Sequence, residues 1–454
     1  MSAEEEVISL KERVRELEAE LRRLEELSRV SPVGGVRDGD KSRKSGHPAK
    51  QRPQRPFDFS AHPKKHVALR LAYLGWNYQG FASQENTSNT VEEVIFNALT
   101  KTRLVESRQT SNYHRCGRTD RGVSALGQVI SLDLRWSSSG KPPVRYAQML
   151  NRVLPPDIQV LGWAAVPSTF SARFSCRSRT YRYLFPRARL DVDAMDRAAR
   201  ILEGTHDFRN LCKMDVANGV VTFIRTVLSA RVEPVPELPG EDGPFRLYHL
   251  QITGLAFLYH QVRCIMGVLF LIGQGKEEPE VITELLNVEK NPCKPQYNMA
   301  VEYPLVLYDC QFDEVDWVSE KDIHTITISH LQRMWTQEAV KTQILRMAVQ
   351  SLDSVPVAMD SGEVPVAWSQ HGTDVVSHSS GLVEGVSART YTPLMKRALC
   401  QGLEDRVQHY IKRGRLKVAP GGNIRQNTEK TQEGAEETNE NAKRARISAG
   451  EEPV

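Results

Sequence analysis

The sequence predicts an α+β fold: two similar-sized units of strands and helices in tandem, with a cleft between them. Three observations carry this expectation. Strand-like alternation and helix-like apolar stripes succeed each other from Val67 to about residue 312, the pattern restarts near Ser178, and the chain is long enough for two or three cores. The 454 residues are 40% hydrophobic and 26% charged, the balance of a soluble globular protein. The longest apolar run, around Ile265–Ile272, is less than half of the roughly 20 residues a membrane-spanning helix needs. The acidic start MSAEEEV has no signal-peptide head, which predicts a protein of nucleus and cytoplasm.

Taken in order, residues 1–30 place Val7, Leu10, Val14, Leu17, Leu21 and Leu24 at alternating spacings of three and four, the pattern of a short coiled-coil helix. Residues 31–65 carry nine basic residues against three acidic ones with no apolar period, and read as a flexible basic linker. Order begins at Val67, where Val67, Leu69, Leu71 and Tyr73 alternate on one face of a half-buried strand. Thr90 and Glu93 form a capping-box pair ahead of a helix striped by Val91, Val94, Ile95, Ala98 and Leu99. The turn RCGRTDRG, a strand QVISLDL, a short helix from Tyr146 and a strand from Ile158 complete a first unit over residues 66–177. The second unit, 178–317, opens with the strand RTYRYLF. A helix capped by Asp191 follows, then strands FIRTVLSARV and FRLYHLQI, a helix with Val262, Ile265, Met266, Leu269 and Ile272 inward, a helical 279–289 and an extended 305–312. A C-terminal extension, 318–420, reads as helix over 321–350, loop over 351–388 and a basic amphipathic helix over 393–413. Residues 421–454 hold no aromatic residue and read as disordered, with KRAR at 443–446 as a candidate nuclear signal.

The net charge of +4 conceals an asymmetry. Residues 101–190 hold sixteen Lys or Arg against four acids, a local +12 that predicts a polyanionic partner, because guanidinium forks fit phosphate oxygens. The seven cysteines are scattered, odd in number and without a C-x-x-C pair, so no disulfide framework and no metal site is expected, and all are read as reduced. Neither a G-x-x-x-x-G-K-[ST] nor a G-x-G-x-x-G sequence is present, so no cofactor is expected. The sharpest local feature is CGRTDRGVSALGQ, which sets one carboxylate, Asp120, between Arg118 and Arg121 in a glycine-bounded turn; the neighbouring positive charge is expected to keep it ionised. By itself this pattern serves either as a turn former or as a lone nucleophile or charge stabiliser.

Five blocks in order over residues 66–312 then resemble the TruA class of tRNA pseudouridine synthases. They are YLGWNYQGFASQ with NTVEEVIFNAL, RTDRGVSA, FSARFSCRSRTYRYLF, LEGTHDFRNLC and FLYHQVRCIMGVLFLIGQG. The resemblance implies a pseudouridine synthase fold of two ferredoxin-like units joined in a mixed sheet around a central basic cleft. It makes Asp120 the catalytic aspartate, Tyr181 the aromatic that packs on the target base, and Arg263 the arginine paired with the aspartate. Arg118 and Arg121 fall where the family contacts the phosphate backbone or orders the catalytic loop, and Arg173 becomes a substrate-binding group. It further implies a tRNA substrate, modified in the anticodon arm at positions 38/39, and a homodimer. Phe81 stands where the family often has tryptophan, and EYPLVL where it often has a Gly-Leu turn.

Uridine isomerisation breaks an N-glycosidic bond and forms a C–C bond, and requires neither a redox carrier nor a phosphate donor. A carboxylate can attack the anomeric carbon or remove a ribose proton to give a glycal, and the sequence is compatible with both. A base inside a folded arm must leave its stack to be reached, which gives Tyr181 its role. The rival readings are a non-catalytic tRNA-binding protein or chaperone, a two-carboxylate glycoside hydrolase, and a coiled-coil scaffold.

Overall fold

The computed structural model describes residues 57–137, 142–236, 246–351, 381–385, 390–418 and 424–426. The coiled-coil pattern at 1–30, the linker up to residue 56, most of the loop-like 351–388 and the basic run at 443–446 lie outside these residues. The first strands are β1 (Lys64–Tyr73), β2 (His114–Arg115), β3 (Ser124–Arg135), β4 (Ile158–Ala165) and β5 (Cys176–Pro186). They are followed by β6 (Gly204–Asp207), β7 (Ile224–Pro234), β8 (Leu247–Gly254) and β9 (Leu305–Phe312). All nine join one mixed sheet in the order β4-β1-β3-β9-β5-β8-β7-β6, with β2 pairing β3. Strand β9 closes the gap between the halves, parallel to β3 and antiparallel to β5. The last strand of the second unit thus lies at the joint between the two, and the sheet is continuous.

Two apolar cores lie along this sheet. One is built on Tyr73, Phe81, Leu69 and Leu99, the other on Tyr183, Phe185, Phe208 and Phe270, and Tyr181 packs against both. Strand β1 differs from its expected half-burial. Ala68 and Ala72, on the face opposite Leu69 and Leu71, are also buried, and β1 is an inner strand between β3 and β4. Order also begins earlier than expected: Phe57 stacks on His62 at 5.0 Å, and Arg103 and Arg135 lie over its ring.

Helix α1 (Val91–Lys101) starts where the capping box predicts, with the Thr90 hydroxyl accepting from the Glu93 backbone N–H at 3.3 Å. Its second residue, Glu92, is a buried carboxylate. It accepts from Arg108 and Arg115 at 2.8 Å each, from the Tyr113 hydroxyl at 2.6 Å and from the Ser83 N–H at 2.8 Å. Burial pushes the Glu92 carboxyl up, but the Arg115 charge and these hydrogen bonds outweigh it and hold the carboxyl below its ordinary range. Glu92→Ala is expected to destabilise the fold by about 3–5 kcal/mol, because Arg115 is left buried without its counter-charge. With its folded value depressed, the Glu92 contribution is present above the ordinary carboxylate range and is lost as pH falls through the folded value. Denaturant titrations of wild type and variant across acidic pH check both the size and the sign.

Helices α2 (Tyr146–Asn151), α3 (Val192–Ile201), α4 (Gln261–Gly273) and α5 (Val281–Leu286) form where the sequence reads as helix. Asp191 caps α3, accepting from the Ala194 N–H at 2.9 Å. Helix α4 is buried on nearly all sides, as an almost uninterrupted apolar segment requires.

The C-terminal region departs from expectation. Helix α6 runs Lys321–Ser351, but the expected helix over 393–413 is divided. A 3-10 turn covers Leu394–Lys396, and α7 (Leu403–Lys412) starts only after Gly402, whose extended backbone breaks the run. Strands β10 (Leu416–Val418) and β11 (Ile424–Gln426) form a small ribbon, so part of the tail read as disordered is a strand. Leu382, Leu394, Val407 and Leu416 join the second core. Described residues beyond 317 are therefore part of the second core.

Candidate active site around Asp120

Asp120 sits in the loop between β2 and β3, at the seam where the sheet's two halves meet. Both ends of the loop are fastened. Gln128 brackets Gly117, donating to its carbonyl at 3.0 Å and accepting from its N–H at 3.3 Å. The buried hydroxyls of Tyr73 and Thr119 are 2.7 Å apart, and the Thr119 carbonyl accepts from the Phe81 N–H at 3.0 Å. Gly122 has φ +76°, and a Cβ there would stand 2.6 Å from Glu302 Cγ, so only glycine permits the turn and the approach. Phe81, where the family often has tryptophan, is a fully buried core residue beneath the loop.

The carboxylate itself is about a quarter exposed, with His260 Nε2 3.5 Å from Oδ2. Burial pushes the Asp120 carboxyl up to about 6; the Arg263 charge pulls it down, Glu302 pushes it up again, and Lys213 pulls it down. The net shift is upward, opposite to the one expected from flanking arginines. Arg118 and Arg121 are exposed, and the charges that act on Asp120 come from elsewhere in the chain.

Arg263 is buried on α4, as expected near the carboxylate, but its hydrogen bonds go to other groups. It donates to the Ala300 carbonyl at 2.8 Å and to Glu302 at 3.0 Å, and pairs with Glu384. Its influence on Asp120 is therefore electrostatic, through space. Tyr181, on β5, packs edge-on against Phe257 at 5.1 Å, and its hydroxyl lies near Gly117 at the start of the Asp120 loop. Arg173, half-buried ahead of β5, lies over the Phe174 ring at 5.1 Å.

Sequence reasoning did not single out His260, Lys213, Glu302 or Glu384. His260 is buried and adopts a left-handed backbone, φ 58°, at the start of α4, a strained position that a linear reading cannot detect. Burial first, then the charges of Arg263, Lys213 and Lys294, push its imidazole down to about 3, so it is neutral. Glu302 belongs to the block EYPLVL, and its acidic residue was a readable signal. Glu384 lies in the stretch read as loop and carried none.

The arginine-rich segment is less free than its charge implies. Arg108 and Arg115 serve Glu92, Arg145 pairs with Glu320 and Asp322, and Arg177 pairs with Asp313. Arg179 donates to the carbonyls of Cys116, Leu255 and Arg173, tying the start of the Asp120 loop to the ends of its neighbours. Part of the local +12 is thus structural, and Arg118, Arg121, Arg152, Arg187 and Arg189 are among those exposed. Among the described residues, the group with metal-ligand proximity is Cys116, Cys176 and Cys310, whose Sγ atoms lie within 4.8 Å of one another in the core. All seven cysteines are free thiols, and no helix among the described residues is long and apolar enough to cross a membrane.

Comparison with known proteins identifies this architecture. A family model described as tRNA pseudouridine synthase matches residues 198–313. A Bos taurus tRNA pseudouridine(38/39) synthase is 56% identical over 90% of this chain and 88% of its own length, and the Homo sapiens protein of that name matches to the same extent. The Saccharomyces cerevisiae protein of that name is 43% identical over 59% of this chain and 62% of its own. The chain belongs to the TruA-type tRNA pseudouridine synthase family. Its near full-length similarity is to members named for positions 38/39, and it includes the C-terminal segment that completes the second core.

Proposed function

We propose that this protein isomerises uridine to pseudouridine in the anticodon arm of tRNA, at positions 38/39, with Asp120 acting at the ribose of an extruded uridine. Membership of the family and the names of its relatives support the reaction and its tRNA substrate. The observation that carries the residue assignment is the fastened, partly shielded Asp120, the acid of RTDRG, set at the seam between the two halves beside His260 and within the field of Arg263. Ionised Asp120 either forms a bond to C1′ as the uracil leaves or takes the C2′ proton. In both courses uracil turns and C5 bonds to C1′, as the Asp120–C1′ bond breaks in the first or the C2′ proton is returned from Asp120 in the second, and the C5 proton is released. Tyr181 supplies the aromatic surface for the turning base, and the Arg263 charge favours the ionised form of Asp120.

Arg118, Arg121 and Arg173 are the proposed phosphate contacts. Replacing either exposed arginine, Arg118 or Arg121, with alanine is expected to weaken tRNA binding and to reduce the slope of log K against log salt by about 1. A salt titration of binding checks this, and unchanged slopes would remove these arginines from the interface. We further propose that two copies act together on one tRNA, and that the protein works in nucleus and cytoplasm. The decisive assay of activity is tritium release from C5-labelled uridine in tRNA. Release from wild type and none from Asp120→Ala is the expected result; no release from any tRNA offered to the wild type would defeat the enzyme reading.

A further inference from the structure

Cys116, Cys176 and Cys310 are too widely separated along the chain for any ligand spacing to be read, yet the fold brings them to one point. Cys116 follows β2, and its N–H donates to the Val129 carbonyl at 2.8 Å; Cys176 opens β5, and Cys310 lies in β9, the neighbouring strand. Their Sγ atoms all lie within 4.8 Å of one another, and the residues are only 3%, 1% and 8% exposed, so the sulfurs converge away from solvent. A single free cysteine packs in a core as a small apolar group and needs no further reason. Three thiols converging from three separate segments are a set of soft donors. Sulfurs that share one ion at the usual zinc–sulfur length of about 2.3 Å stand about 4 Å apart, a spacing close to the one observed.

Charge points the same way. Arg179 donates to the Cys116 carbonyl at 2.9 Å and lies within electrostatic reach of all three sulfurs. Three buried thiolates by themselves would carry an uncompensated triple charge, which burial forbids. A divalent ion leaves the group with a single negative charge, and the Arg179 guanidinium makes the whole site neutral; a monovalent ion would leave it charged. Soft thiolates with no carboxylate among them select a thiophilic d10 ion over magnesium or calcium. No fourth Cys, His, Asp or Glu among the described residues belongs to the group, and the Ser178 carbonyl, 3.3 Å from the Cys176 sulfur, is an oxygen at its edge.

We propose that Cys116, Cys176 and Cys310 form a binding site for one thiophilic divalent d10 ion of the zinc class, a structural clamp at the root of the Asp120 loop. Binding replaces three thiol protons, released to solvent, with three sulfur–metal bonds and changes no oxidation state. The clamp joins the start of the loop to β5, which carries Tyr181, and to β9, which closes the gap between the halves of the sheet. The inference does not rest on the role of Asp120, and its tests read metal uptake, thiol protection and melting, so it fails or stands independently of turnover.

The full chain, reduced and stripped of metal with a chelator, is equilibrated anaerobically with CdCl2 until its ultraviolet absorbance is steady. One cadmium per chain with a Kd at or below ~1 µM, seen as a thiolate-to-metal charge-transfer band, is the expected result. ZnCl2 should compete for the same site and at saturation raise the melting temperature by ~5 °C or more. Alkylation in mild denaturant, mapped by mass spectrometry, should show 116, 176 and 310 protected together when metal is added, and the partly exposed Cys293 and Cys400 unprotected. Cys310→Ala should lose both the band and the zinc-induced shift in melting. The alkylation map uses wild type alone, so it decides the question even where the variant fails to fold. Absence of the band with all seven thiols reduced overturns the proposal. So does protection confined to Cys293 and Cys400, or a Cys310→Ala variant that binds cadmium as tightly as wild type.

Discussion

Asp120→Asn is expected to abolish turnover and, at neutral pH, to raise the melting temperature. The loss of activity should be at least ~10³-fold in kcat, because the amide can neither bond to C1′ nor accept the C2′ proton. The gain in stability follows from the same burial. In the folded protein the Asp120 carboxyl is pushed from its ordinary 3.8 up to about 6, so the folded state binds more protons than the unfolded one between these values. Stability therefore falls as pH rises through that window, and above it the ionised carboxylate costs about 3 kcal/mol. Removing the charge recovers part of this, ~2–5 °C in melting temperature for a chain of this size. Calorimetry at pH 7 and at pH 4 separates the cases: the variant should exceed wild type at the higher pH, and the difference should shrink at the lower. A variant less stable than wild type at pH 7 would contradict the electrostatic account of the loop. The wild-type enzyme should lose kcat/KM about tenfold per pH unit below about 6, as the carboxylate takes up its proton.

Loss of the Arg263 guanidinium should change both stability and the pH profile. Arg263 joins α4 to the Ala300 carbonyl, Glu302 and Glu384, and so connects the second core to the C-terminal segment. Arg263→Leu leaves these carboxylates and Asp120 without their shared cation, a change expected to cost about 3–5 kcal/mol in denaturant unfolding. Arg263→Lys should fold better but cannot reproduce the fork that serves a carbonyl and two carboxylates at once. With the arginine's charge displaced, the Asp120 carboxyl should rise above its present value of about 6 and shift the acidic limb of the kcat/KM profile to higher pH. A lysine variant with wild-type stability and an unmoved limb would show that Arg263 neither fastens the C-terminal segment nor acts on Asp120.

Much of the fold was legible because it is encoded locally. Alternation in VALRLAY, the Thr90 and Asp191 caps and the apolar α4 are each decided by residues within a few positions of one another, and each element formed where expected. The part of the site legible in the same way is the glycine-bounded loop: Gly122 is needed for its positive φ and its contact with Glu302. Tertiary structure decided the rest. Whether a guanidinium binds phosphate or a buried carboxylate depends on what folds against it, and Arg108 and Arg115 serve Glu92, more than ten positions away in sequence. The sign of the Asp120 shift was likewise beyond sequence, because the desolvation that dominates it comes from packing, and the charges that modulate it arrive from Lys213, Arg263 and Glu302. Nothing near Leu382, Leu394, Val407 or Leu416 in sequence assigns them to the second core, since burial of apolar surface is a property of where segments meet and not of their order along the chain.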